Sequence, residues 1–310
     1  MKMPVRRLPT LEFKYKNNRS VSSAATLLGF LGNLPKYFRL VSQFDAVVRE
    51  VQPDAILNFF EPIAALFALT HRRRPPVVAV GHQFMFQHPA FIHTPQWWGQ
   101  FCLRVYTGLL GARATKLALS LYEVPDLPRK KMVVGPPILR KQLFALTPDP
   151  DGNFTLVYLL NHGYAQQIIA WSEKNPATRL HCFYDKPDAP AEFQQSPSLT
   201  FHRLDGEKFL RMMAGCRNVV CTAGFESVSE AAWLGKPLLV VPVENHIEQQ
   251  LNAMEAQQIG LGVADASFNL DRLAELPDRL PTERFHAWMG RGPQKLFLAI
   301  EQATAKYSPR

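Results

Sequence analysis

Residues 218–241 constrain the fold of this 310-residue chain more than any other stretch. An apolar run ends at Cys221 and Thr222, and a turn follows at Ala223 and Gly224. A helical stretch then begins at Phe225, stops at Gly235, and gives way to a second apolar run from Leu238 to Val241. Short β-branched and leucine runs flanked by turn residues are the pattern of interior parallel strands. Gly224 stands where strand hands over to helix, so the backbone there can approach a ligand with no Cβ in the way. The first turn of the helix presents unpaired N–H groups and a positive dipole end, which together favour a phosphate. Taken alone, a glycine at this place is equally well explained as a tight turn in a βαβ unit.

The residues on either side add weight. Glu230 lies about two turns into the helix, too far to cap it but placed to reach a sugar hydroxyl. Pro242 closes the second strand, and the next helix start carries His246, Gln249, Gln250 and Asn252, all hydrogen-bonding groups. Together, Gly224, Ser229-Glu230-Ala231, Gly235-Lys236-Pro237, Pro242 and Gln249-Gln250-x-Asn252 resemble the donor-binding half of GT-B glycosyltransferases. The likeness is greatest to the family of the peptidoglycan lipid-intermediate GlcNAc transferase and its uncharacterised bacterial and archaeal relatives.

That resemblance implies an α/β fold of two Rossmann-like domains facing across a cleft. It also implies a nucleotide-sugar donor, with UDP the expected nucleotide and no further cofactor. By the same resemblance the donor would meet His162, Gly163, Ala223, Gly224, Phe225, Ser229, Glu230, His246, Gln249, Gln250 and Asn252. Glu230 would take the ribose hydroxyls and the glutamine pair the sugar, while Arg140 would add positive charge near the donor. A lipid-linked or polysaccharide acceptor is the corresponding expectation.

Charge is divided unevenly. Through Ala145 there are 20 lysines and arginines against 7 carboxylates, and afterwards 15 against 19. A basic half suits nucleic acid, an anionic membrane surface or a polyanionic substrate. No nucleic-acid motif accompanies it, so nucleic acid is not an expected partner. The clusters Arg72-Arg73-Arg74 and Arg129-Lys130-Lys131 fall in expected loops, where solvated charge is the plain alternative. The aromatic stretch 95–110, with Trp97, Trp98, Phe101 and Tyr106, would suit peripheral membrane contact if exposed. Buried, it is a core helix, and the composition favours that reading. No apolar run reaches the roughly 18–20 residues of a membrane span, and no signal segment opens the chain. The expected location is the cytoplasm, at the inner membrane face if the aromatic stretch is exposed. Cys102, Cys182, Cys216 and Cys221 show no metal spacing and read as buried free thiols.

Strands alternating with helices run through both halves, which implies parallel sheets. Helical pattern covers 22–51, with interruptions at Gly29, Gly32 and Pro35, and again 62–71 and 97–111. Strands are expected at 55–59, 77–80, 116–119 and 132–134. A break at Gly135-Pro136-Pro137 and a linker at 147–152 divide a first domain, 1–145, from a second, 146–310. In the second, strands are expected at 154–160, 179–184, 199–202, 218–222 and 238–241, with helices at 166–174 and 207–215. The resemblance extends to 53–62, to 77–83 and to 133–137, which match cleft-facing strands and the interdomain passage of the family. One departure stands out. The family opens with a strand and a glycine-rich loop, often carrying a histidine, and nothing ahead of Ser22 matches it. The first domain therefore reads as truncated at its N-terminus.

The chemistry such a site supports is displacement at an anomeric carbon through an oxocarbenium-like transition state. No Asp-x-Asp motif is present, as expected of a metal-independent, inverting transferase. Helix starts behind Gly163 and Gly224 would stabilise the leaving diphosphate. His82, ending a strand that faces the cleft, is the candidate base, because imidazole titrates near working pH. A hydrogen-bonded loop histidine is the bland alternative. Two rivals share the fold: a nonhydrolysing sugar-nucleotide epimerase and a nucleotide-sugar-binding protein without catalysis.

Overall fold

The computed structural model of the chain describes residues 5–6, 15–16, 20–21, 34–72, 74–92, 97–159, 162–186 and 188–305. Two sheets organise it. The first has four parallel strands in chain order: β1 (Ile56–Asn58), β2 (Val77–Gly81), β3 (Thr115–Leu119) and β4 (Met132–Gly135). Every residue of β2, β3 and β4 is buried, the state of strands covered on both faces. Helices α1 (Leu34–Val51), α2 (Pro62–Thr70) and α3 (Trp97–Leu110) accompany them. The start of α2 is set by Glu61, whose side chain accepts from the N–H groups of Ile63 and Ala64, with Pro62 in the first turn.

The second sheet contains β5 (Thr155–Leu159), β6 (Leu180–Tyr184), β7 (Glu192–Ser196), β8 (Leu199–Arg203), β9 (Asn218–Cys221), β10 (Leu238–Val240) and β11 (Gly262–Ala264). Their spatial order is β11-β10-β9-β5-β6-β8-β7. All pair in parallel except the edge strand β7, which runs antiparallel to β8. The helices are α4 (Ala165–Lys174), α5 (Gly206–Gly215), α6 (Phe225–Trp233) and α7 (Ile247–Gln258). From β5 the chain builds outward through β6 and β8, then returns to β9 on the other side of β5. Strand order therefore reverses between β5 and β9, which makes their carboxyl ends a topological switch point. Open α/β sheets bind ligands at such a place. Gly235, at φ +67°, ends α6 in the left-handed conformation that glycine adopts freely.

Of the last two helices, α8 (Glu283–Met289) packs on α6 and α9 (Gly292–Thr304) returns to the first sheet. There α9 packs on β2, β3 and β4. Trp288 Nε1 donates to the Ser120 carbonyl at 2.9 Å, Lys295 Nζ meets Asp126 at 2.9 Å, and Arg291 pairs with Glu123. One apolar core runs through both sheets, joining Val78, Val80 and Leu117 to Leu156, Phe183 and Val219.

Several expectations change. The aromatic stretch is not a core helix: Trp97 is 70% exposed, and Trp98, Phe101, Val105 and Leu109 are exposed with it. Cys102 lies on that same exposed helix, whereas Cys182, Cys216 and Cys221 are buried free thiols. Arg74 is not solvated loop charge, because its guanidinium donates to the carbonyls of Ala68, Pro75 and Arg113. Pro35 is the second residue of α1 rather than an interruption. Gly29, Gly32 and most of the segment ahead of Ser22 lie outside the described residues. No helix among the described residues is long and apolar enough to cross a membrane.

Candidate functional site

The crevice between β5 and β9 is bordered by His162 and Gly163 on one side and by Ala223, Gly224 and Phe225 on the other. Gly224 is the N-cap of α6 and supplies no side-chain cap. Its φ is −75°, which any residue adopts, and a Cβ built there would find only the Thr222 carbonyl oxygen, 3.9 Å away. Neither backbone conformation nor packing requires glycine here. A ligand drawn close to the helix start would. His162, half-buried, holds the Asp185 carbonyl through Nδ1 at 3.1 Å and does not cap α4, whose N-cap is Tyr164.

The other expected donor residues divide sharply. Ser229 Oγ, fully buried, donates to the Phe225 carbonyl one turn back. Gln249 is buried and its Oε1 accepts from the Val243 N–H at 2.8 Å, so it braces the loop after β10. Asn252 Nδ2 donates to the Ala223 carbonyl at 3.0 Å and fixes the glycine turn itself. His246 caps α7, its Nδ1 accepting from the Gln249 N–H at 3.3 Å. These four hold the crevice in shape. Glu230 is buried and gripped by Arg140, Nε to Oε1 at 2.5 Å and Nη2 to Oε2 at 2.7 Å. Gln250 is half-buried.

Compared with known proteins, residues 1–281 match the family model described as glycosyl transferase family 1. The chain belongs to that family. An uncharacterised glycosyltransferase of Methanopyrus kandleri is 26% identical over 153 residues, which is 46% of this chain and 44% of that protein. The chain thus matches less than half the length of that curated relative. Among solved structures, the glycotransferase of kitacinnamycin superposes with TM-score 0.61 at 16% identity, covering 91% of this chain and 83% of that one. A UDP-GlcNAc 2-epimerase from Neisseria meningitidis, bound to UDP-GlcNAc, gives 0.56 at 14%, covering 86% and 81%. These likenesses carry the GT-B fold: two Rossmann-like halves, as in the two sheets above.

In this family 1 chain, His82 does not face open space. It is 2% exposed, at the seam between the halves, and its ring stacks on Phe225 with centroids 4.0 Å apart and planes 13° apart. Its Nδ1 meets the Leu119 carbonyl oxygen at 2.8 Å, and a carbonyl can only accept, so Nδ1 carries the hydrogen. The Nε2 of the neutral ring is then an acceptor, and it faces Glu255 Oε2 at 3.3 Å. Burial pushes His82 down to about 4, against smaller support from Leu119 and Asn252, and pushes Glu255 up to about 8, against Tyr122. Near neutrality burial keeps both partners uncharged, so they do not form an ion pair. Neither ring nitrogen is open to an acceptor hydroxyl in this arrangement. Glu255 escaped the sequence reading, although it follows Asn252 by three residues on the same helix face.

Two further cleft groups also went unremarked. Gln83 Nε2 donates to Glu248 Oε1 across the halves at 2.9 Å. Burial, with help from Glu226 and against the Gln83 hydrogen bond, pushes the Glu248 carboxyl up to about 7, in a residue that is half-buried as a whole. Among the described residues, no group of three or more His, Cys, Asp or Glu side chains is arranged to hold a metal ion.

Proposed function

We propose that this chain is a glycosyltransferase that binds a nucleotide-diphosphate sugar, with UDP the nucleotide, in the crevice between β5 and β9. The observation that carries the reading is Gly224: an uncapped helix start at the topological switch point, with a glycine that nothing in the protein itself requires. The diphosphate would lie against the start of α6, the ribose near Glu230, and the sugar toward Gln250. An acceptor hydroxyl attacks the anomeric carbon as the bond to the diphosphate breaks, so one displacement inverts the centre. The N–H groups at Phe225 and beyond meet the charge that develops on the leaving diphosphate.

The acceptor's proton must go to a base. His82 serves only once the seam opens and releases Nε2 from Glu255. In the arrangement described, Glu248 is the candidate, a half-buried residue whose carboxyl burial raises to about 7. The experiment is product analysis after incubation with UDP-GlcNAc, with and without lipid or polysaccharide extracts. Release of UDP supports a transferase. Conversion to a UDP-linked epimer with no UDP released would make the chain an epimerase, and neither change would leave a binding protein.

The exposed face of α3 supports a membrane-linked acceptor. Trp97, Phe101, Val105 and Leu109 recur at helical spacing on its outer side, in the basic half of the chain. Arg72, Arg129, Lys130 and Lys131 are exposed, and Lys130 Nζ donates to the Gln87 carbonyl. The protein should co-sediment with anionic vesicles at about 0.1 M salt and release them toward 1 M, as the Debye length falls from about 10 to about 3 Å. Failure to bind anionic vesicles at low salt would favour a soluble acceptor.

A further inference from the structure

Glu230 is shut off from solvent, but the group that holds it is not. The Glu230 side chain is 3% exposed, whereas that of Arg140 is 42% exposed. Arg140 arrives from the passage between the two sheets and also donates from Nη1 to the Gly206 carbonyl at 3.2 Å. Two N–H groups, on Nε and Nη2, meet the two carboxylate oxygens side by side. A vicinal diol presents the same pattern, two adjacent donors aimed at the two oxygens of one carboxylate. A buried pair of this kind is weak support for stability, since apolar side chains of equal volume do as well. Half-exposed, the arginine can leave without being desolvated or trapped. Glu230 stands six residues past Gly224, about 9 Å along the helix rise, and a long side chain pivoting at residue 140 sweeps a comparable distance.

We propose that Arg140 is a displaceable stand-in for the ribose of the bound nucleotide. Its guanidinium gives up Glu230 to the 2′ and 3′ hydroxyls and turns toward the diphosphate at Gly224. The exchange couples recognition of the sugar ring to neutralisation of the phosphates, and it rests on the nucleotide reading of the crevice. A nucleoside without phosphates has to break the ion pair and offers the freed guanidinium nothing in return. A nucleoside diphosphate offers it a new partner.

The test is calorimetry with uridine, UDP and 2′-deoxy-UDP on the parent protein and on R140Q, R140K and E230Q. In R140Q, uridine should bind on the order of tenfold tighter than in the parent, because nothing competes for Glu230, whereas UDP should gain nothing or weaken. The parent should prefer UDP to 2′-deoxy-UDP, and E230Q should erase that preference. R140K keeps the charge but not the fork, so it shifts uridine the same way by less and serves if R140Q fails to fold. Equal weakening of uridine and UDP in both Arg140 variants would make Arg140 an ordinary wall of the site and overturn the exchange. Unchanged uridine affinity would make the pair purely structural and also overturn it. A parent protein that binds neither UDP nor uridine removes the nucleotide reading itself, and the exchange with it.

Discussion

Glu230 and Glu255 are buried carboxyl groups on consecutive helices, α6 and α7, and they are held in opposite ways. Glu230 meets a guanidinium through two short hydrogen bonds, and that guanidinium reaches solvent. Glu255 meets an uncharged imidazole across the seam, with no cation beside it, and burial drives its carboxyl up to about 8. The first is a charge held by something able to move. The second is an uncharged contact buried between halves that pack on one another. The difference teaches where a ligand can enter: through the partner that leaves cheaply, not through the seam, where Phe225 and His82 would have to separate.

The largest effect that would sharpen this comparison comes from His82→Ala. It removes the ring stacked on Phe225, opens a cavity, and leaves Glu255 facing it, so urea denaturation should show a loss of about 3 kcal/mol. UDP affinity should stay within a few-fold of the parent. A loss under about 1 kcal/mol would mean that the seam is not a packed contact.

The next concerns pH. Glu255 is raised in the folded protein from 4.5 to about 8, so its contribution is whole below 4.5 and is lost as pH climbs through 8. His82 is lowered from 6.5 to about 4, so its contribution is whole above 6.5 and is lost as pH falls toward 4. The two slopes offset one another from about 4.5 to 6.5, and only the loss from Glu255 remains from about 6.5 to 8. Between pH 6.5 and 9 the parent should lose about 2 kcal/mol more than Glu255→Gln. Parallel curves for the two proteins would show that Glu255 carries no proton in the seam.

Gly224→Ala separates ligand from fold. Its Cβ clears the protein, so stability should change by no more than about 0.5 kcal/mol, while UDP affinity falls by about tenfold, or about 1.4 kcal/mol. Undiminished UDP binding would remove the diphosphate from the start of α6. The smallest effects distinguish two neighbours. Gln249→Ala leaves the Val243 N–H unpaired and should cost about 1 kcal/mol of stability. Gln250→Ala should cost almost none, and weaken a UDP-sugar while sparing UDP. Equal losses for both ligands would end the sugar assignment for Gln250.

Much of the fold was legible in the sequence because interior parallel strands are short, apolar and punctuated. Val77–Gly81, Asn218–Cys221 and Leu238–Val240 fall within a residue or so of expectation. The edge strand Glu192–Ser196 was not legible, since its residues lie largely in solvent and show no apolar run. Nor was the exposure of α3: its aromatic residues fit a core as well as a surface, and only the packing decides. The candidate site was legible as residues that the fold brings near one another, but not as the hydrogen bonds they make. Gln249, Asn252 and Ser229 have the chemistry of ligand contacts, yet each spends a polar group on a backbone partner. Which hydrogen bond an amide makes depends on a carbonyl brought near by another loop, and sequence spacing does not show that. The Arg140–Glu230 and His82–Glu255 pairs join residues far apart in the chain and were invisible for the same reason.

The return of α9 to the first sheet alters what a break in the backbone can do. Among the described residues two covalent crossings join the halves, one through residues 136–152 and one through 289–292, and α9 is pinned by Lys295, Arg291 and the nearby Trp288. A protease that nicks the exposed linker near Asp151 would therefore yield two fragments that still co-migrate on a native gel. A tag fused after α9 would ride on the half opposite to the one built on β5 to β11. Any rotation of one half against the other has to twist both crossings at once, which confines it to an axis passing near them.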